Sequence, residues 1–426
     1  MRILNAILSF MFLSLFMMPA LSGNAQAQSV ITLEECYEWA RKNYPLIQQK
    51  ELLVRSLAYN IDNVQSGHLP QLAIYAQATY QSEVTRLPGP GALVEPLSKD
   101  QYRMYAELNQ SIYDGGIIKN QNAVQSTNTL VEQQKLEVEL YKIKDRINQI
   151  FFGVLLMEAQ RAQINLLRAD LTTSLSRTES AIRNGTAFRT NADMLQAELL
   201  KTDQRIIEIN ACRSVYLDML GYFINQPLND QTILQAPLAL ADETALEIRR
   251  PELTLYQFQL ELVGAQYKAN QTRNVPKLGL FLQGGYGRPG LNMLKNEFDT
   301  YYQGGVRFSW SLGNFYNSKR DRELLDVNSL FVNTQRETFL FNTNLSLKQQ
   351  SKEVEKLREL IRVDGDIITL RTRIKNTAQS QYDNGVISTS DLLRELNAEE
   401  TARQNLAVHQ IQWMLAKYNY QTTSGN

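Results

Sequence analysis

Two histidines and two cysteines are all that the sequence offers for metal or nucleophilic chemistry. His68 and His409 stand far apart, as do Cys36 and Cys212, and no Cys/His set has ligand spacing. There is no phosphate loop and no nucleophile–base motif. His409 falls on the helical stripe Ala402, Leu406, His409, Trp413, Ala416 and Tyr420, where a packed helix-face side chain is the simpler reading. An enzyme is therefore not expected, and no cofactor or metal is implied. Charged and polar groups gather instead at two interruptions, "SAIRNGTAFRTNADMLQAELL" from Ser180 and "SQYDNGVISTSDLLRELNAEE" from Ser380. Each sets Asn-Gly inside a helical pattern and follows it with an acid: Gly185 with Asp193, Gly385 with Asp391. Tyr382 and Arg394 flank the second. Asn-Gly permits the positive φ that a helix C-terminus favours. An acid where a new helix begins can cap it. Both stretches are read as tight reversals between helices.

The elements around these reversals are long. The prolines after the N-terminal region fall at 45, 70, 88, 90, 96, 227, 237, 251, 276 and 289. None occurs from 97 to 226 or from 290 to 426, and proline-free stretches are where long helices can form. Leu136, Leu140, Ile143, Ile147, Ile150, Val154 and Met157 alternate four- and three-residue steps, as do Leu324, Val327, Phe331, Thr334, Thr338, Phe341 and Leu345. That is the period of a coiled-coil seam. Helices are expected from about 117 to 184 and 316 to 384, each roughly 100 Å long at about 1.5 Å per residue. Return helices are expected over about 191–223 and 391–420.

Strands occupy the proline-containing parts. In "HLPQLAIYAQATYQ", Leu72, Ile74, Ala76, Ala78 and Tyr80 alternate with Ala73, Tyr75, Gln77 and Thr79. "NVPKLGLFLQGGYG" repeats the design with Leu278, Leu280, Leu282 and Tyr286. Tyr102, Met104 and Leu108 mark a further strand, and Val306, Phe308 and Trp310 another. Strands are expected at about 71–81, 101–113, 277–286 and 301–312. About ten residues, apolar on one face and more polar on the other, is the pattern of a membrane β-barrel with these apolar residues toward lipid.

The N-terminus sets the compartment. Arg2, the apolar run from Ile7 to Met18 and Ala25-Gln26-Ala27 form a secretory leader, expected to be cut after Ala27. Nothing else approaches the ~20 apolar residues of a membrane helix. Charge is balanced, 44 basic residues against 44 acidic, so a nucleic-acid partner is not expected. Whether Cys36 and Cys212 pair is open at this level.

The chain also reads as an internal duplication. Pro45 matches Pro251 and Pro70 matches Pro276; after a change in loop length, Asp114 matches Asn314 and Gly185 matches Gly385. The expected organisation is a leader at 1–27 and two repeats, 28–230 and 231–426. Each holds a helix, two strands, a very long helix, a tip (about 184–192 or 384–391) and a return helix. Four strands cannot close a membrane barrel, because closed barrels have about eight or more. Several copies must share one. Twelve strands from three copies is the smallest closure expected to leave an open lumen.

This order resembles the TolC-type outer membrane efflux proteins. The resemblance covers essentially the whole chain after the leader. Its marks are "ITLEECYEWARKNYPLIQQKE", "QSIYDGGIIKN" and the two reversals. It implies an α+β membrane protein: a trimeric twelve-stranded β-barrel in the outer membrane, four strands per chain, continuous with a helical tunnel across the periplasm. It implies a passive exit duct for efflux or type I secretion, served by a periplasmic adaptor and an inner-membrane pump of RND or ABC type. It implies that Tyr382, Gly385 and Asp391, with Gly185 and Asp193 in the first tip, lie at the periplasmic gate. Ile387 stands where some members have a gate-locking basic residue, and Arg394 where some have a second acid. A weaker cation selectivity is expected from that exchange. The contrasting expectation is a periplasmic coiled-coil adaptor or structural protein that does not span the membrane; it would not need four strands with an apolar face.

Overall fold

The computed structural model describes residues 30–85, 96–237 and 247–426. The expected leader and part of the first strand–strand loop lie outside them. A short β1 (Val30–Ile31) leads into α1 (Leu33–Asn43). Thr32 caps this helix reciprocally: its hydroxyl accepts from the Glu35 N–H, and the Glu35 carboxylate accepts from the Thr32 N–H at 2.9 Å. After a turn begun by Pro45, α2 (Gln49–Gln65) runs to β2 (Gln71–Tyr80), which pairs with β3 (Asp100–Tyr113). Then follow α3 (Ile117–Tyr141), α4 (Ile143–Arg183) and α5 (Arg189–Ile224). A short β4 (Ile233–Leu234) pairs in parallel with β1. The second half repeats the sequence of elements with α6 (Pro251–Gln271), β5 (Lys277–Arg288), β6 (Asp299–Ser309), α7 (Phe315–Asp383) and α8 (Thr389–Ser424). The boundary expected at 230/231 falls just ahead of β4, in the connection between α5 and α6.

The four long strands form one antiparallel sheet in the order β2-β3-β5-β6. Each strand is joined to its own helix: α2 enters β2, β3 leaves into α3, α6 enters β5 and β6 leaves into α7. The junctions are built by short polar side chains. Asp114 accepts from the N–H groups of Gly116 and Ile118, both at 2.8 Å. In the matching place Asn314 donates to the Arg273 carbonyl at 2.8 Å, and the Trp310 indole donates to the Asn274 carbonyl at 3.0 Å. Among the described residues no helix is long and apolar enough to cross a membrane.

Away from the sheet, α4 packs on α5 and α7 on α8 as two antiparallel hairpins, with α4 also against α8. The first expected seam is buried where the end of α3 and the start of α4 meet α1 and α5. Leu136, Leu140, Ile143, Ile147, Ile150 and Val154 are buried, with Phe151, Phe152, Leu217, Leu220 and Ile224 beside them. Burying each such side chain stabilises by about 1.5–3 kcal/mol. A second cluster of Leu167, Leu171, Leu195, Leu199, Leu392 and Leu396 lies toward the reversals.

One expectation is refined and one corrected. The first long helix carries one irregular residue, Lys142, whose backbone stays right-handed helical and whose N–H still donates to the Val138 carbonyl at 3.3 Å. The second seam is not a core: Leu324, Val327, Phe331, Phe341 and Leu345 are exposed, Phe331 to 64%. The first half of α7 packs on α6 through other residues, such as Arg322 on Tyr267 and Phe339 on Tyr256, and the stripe is left uncovered among the described residues.

Candidate functional site: helix tips and sheet face

The two reversals are built alike up to their caps. Gly185 has φ +74° and Gly385 φ +73°. The Gly385 N–H donates to the Tyr382 carbonyl at 2.9 Å and the Val386 N–H to the Gln381 carbonyl at 2.8 Å. Gly185 and Thr186 make the same pair of bonds to Ile182 and Ala181. These are the bonds that satisfy the last carbonyls of a helix when a left-handed residue ends it. Helices resume at Arg189 and Thr389, equal distances from the two glycines.

The caps then differ. Ser388 and Asp391 form a capping box, with the Ser388 hydroxyl donating to Asp391 Oδ2 at 2.7 Å and accepting from the Asp391 N–H at 3.2 Å. The Ser388 hydroxyl and then its N–H hold the Asp391 carboxyl below its ordinary range. Arg394 lies one turn on, 3.3 Å from Asp391 and 3.3 Å from Glu395. In the first tip Phe188 stands at the cap and offers no side-chain acceptor. Asn191 occupies the position of Asp391. The expected equivalence of Asp193 with Asp391 is therefore corrected: counting from where each helix restarts, Asp193 lies two residues further on, on an exposed surface.

Tyr382 joins the two hairpins. Its hydroxyl lies 2.8 Å from Thr178 Oγ1, and Thr389 Oγ1 donates to it at 3.3 Å. Ile387 is turned onto the apolar cluster with Tyr382. The ionic link between hairpins comes from residues that sequence reasoning did not single out. Arg177 Nη1 meets Asp383 Oδ2 at 2.6 Å, and Lys375 Nζ lies 3.0 Å from Asp170 and 3.4 Å from Glu399. Ser174 donates to Gln379 at 3.2 Å between them. The signal was available as matched polar spacing, Asp170-Ser174-Arg177 against Lys375-Gln379-Asp383, with opposite charges at each end. The more exposed of these pairs, Arg177–Asp383, contributes about 0.2–1 kcal/mol. His409 sits 2.6 Å from Asp364 and links α7 to α8.

At the other end, the sheet separates its faces as the alternation requires. Cross-strand partners share a face. Leu72 pairs with Leu108 and Leu108 with Leu282; Ala76 pairs with Met104 and Met104 with Tyr286; Leu280 pairs with Val306 and Leu278 with Phe308. Ile74, Tyr80 and Tyr102 lie on the same face. This face is exposed over most of its area, including Leu72, Ile74, Tyr80, Met104, Leu282, Val306 and Phe308. Trp310 lies one residue beyond the end of β6. The opposite face carries Gln77, Arg103, Glu107, Gln283, Gln303 and Arg307. β2 and β6 are the free edges of the sheet, and they run in opposite directions.

No protein-family model matches the chain, and no curated protein matches it. Solved structures do. The outer membrane protein VceC from Vibrio cholerae aligns with a TM-score of 0.66 at 12% identity, covering 92% of this chain and 96% of its own. The outer-membrane channel OprN gives 0.64 at 12%, covering 92% and 89%. The Campylobacter jejuni CmeC outer membrane channel gives 0.63 at 15%, covering 95% and 90%. Matched at these scores over nine-tenths of its length, the chain has the fold of the TolC-type outer membrane channels.

Proposed function

We propose that this protein is the outer membrane exit duct of a tripartite efflux or type I secretion system. It is a passive conduit from periplasm to outside. The observation that carries this reading is the four-stranded sheet with one exposed apolar face and two free edges. An apolar face of this size is stable against lipid, and free edges are not tolerated there. The edges run in opposite directions, so β6 of one copy can pair antiparallel with β2 of the next. Three copies supply twelve strands, and the exposed stripe of α7 supplies the matching contact between copies in the helical part. The fold shared with solved outer membrane channels supports the same conclusion, as does the secretory leader expected from the sequence.

In this reading Leu72, Ile74, Met104, Leu282, Val306 and Phe308 face lipid. The tips around Gly185 and Gly385 lie at the periplasmic end, where an adaptor docks on behalf of an inner-membrane pump of RND or ABC type. Tyr382, Arg177 and Asp383 hold the two hairpins of a chain together at the gate. Asp391 and Arg394 set the local charge there.

Cell fractionation and sizing test the reading together. The protein should sediment with outer membranes and run in detergent at three times the mass of the mature chain. A soluble periplasmic monomer would sink it in favour of an adaptor or structural protein.

A further inference from the structure

The polar face of the sheet carries an aromatic layer that the duct reading does not use. Tyr75 pairs with Tyr105, Tyr105 with Gly285 and Gly285 with Tyr301, so one ladder level crosses all four strands. Tyr75 and Tyr105 stack, with ring centroids 5.1 Å apart. Tyr301 lies flat over β5 because position 285 has no side chain: a Cβ there would stand 2.8 Å from Tyr301 Cζ. On the next level toward the strand–strand loops Arg103 pairs with Gly287, and a Cβ at 287 would stand 3.5 Å from Arg103 Cγ. A phenol ring from β6 and a guanidinium stem from β3 thus lean over a floor of two glycines from opposite sides. The Tyr301 hydroxyl is buried without a hydrogen-bond partner.

Charge on this face decides the sign of what would lie there. Arg103, Lys277 and Arg307 oppose Glu107 and Asp299, three cations against two anions. Glu107 is taken by Arg307 at 2.8 Å. Asp299 shares the Arg103 level across Gly287, and no ion pair joins the two among the described residues. Aromatic faces stack on planar rings, and a guanidinium takes a carboxylate or sulfonate.

We infer that the sheet's polar face is a binding belt for planar aromatic anions, with Tyr75, Tyr105 and Tyr301 holding the ring and Arg103 the acid group. This rests on the duct reading, in which that face lines the lumen. Threefold repetition then sets nine tyrosines and three copies of Arg103 around the passage at one depth.

The test is block of single-channel current in planar bilayers by three probes: 2-naphthalenesulfonate, cyclohexanesulfonate and a naphthyl trimethylammonium cation. Naphthalenesulfonate should block at about tenfold lower concentration than either of the others. R103Q should abolish its advantage over the cation, and Y105L its advantage over cyclohexanesulfonate, while Y301F should keep both. Equal block by the two sulfonates on the unaltered protein overturns the inference and leaves the duct reading standing. A protein that forms no pore at all overturns both.

Discussion

Asp391 is the residue whose role the structure alters most. It is bound to Ser388 as the third residue of a new helix, and it shares Arg394 with Glu395. S388A should weaken the start of α8 by about 0.5–2 kcal/mol, the usual cost of losing a cap. Amide exchange over the first turn of α8 reads this directly, and D193N should leave the same amides unchanged. The pH dependence has a definite sign. Because the folded carboxyl is held below its ordinary range, its contribution is complete above that range and fades as pH falls through the lowered value. The protection factors at the second tip should therefore fall in acid more than those at the first, where Asn191 cannot titrate. Chemistry at the cysteines is equally local. Burial, then Glu35 and Glu34, pushes the Cys36 thiol up to about 12, while Cys212 is exposed and both are unpaired. A maleimide should label Cys212 in the native protein and Cys36 only after unfolding, as mass spectrometry would show.

At the scale of elements, the strands were the most legible part of the sequence. A period of two survives any tertiary context, and every residue read as apolar-faced lies on one face or, for Trp310, at its end. The reversals were legible from Asn-Gly. The error over Asp193 has a physical source: distance from a glycine does not fix helix register, which is set by where the next helix is capped. The α7 stripe was legible as a seam but not as an open one, since period reveals that a face is apolar and never what covers it. F331D and F341D should each leave the fold of the chain intact by circular dichroism yet shift it from trimer to monomer in detergent. An intact trimer in both would show that the stripe is not a contact between copies.

For the whole molecule, the proposed trimer multiplies each tip residue by three. Three Asp391 carboxylates beside three Arg394 guanidiniums largely cancel, so the entrance should draw cations weakly. R394E removes three positive charges and adds three negative ones. It should move the reversal potential in a salt gradient toward strong cation preference; no movement would place Arg394 outside the ion path. The order of the strands carries one more consequence. A sheet with an even number of alternating strands presents edges that fit each other however many copies join the ring. In the proposed ring the sheet is thus indifferent to stoichiometry, and the number of chains has to be set elsewhere. The exposed stripe of α7, the other proposed contact between copies, is then what fixes that number: the staves of the tunnel, and not the hoop in the membrane, do the counting.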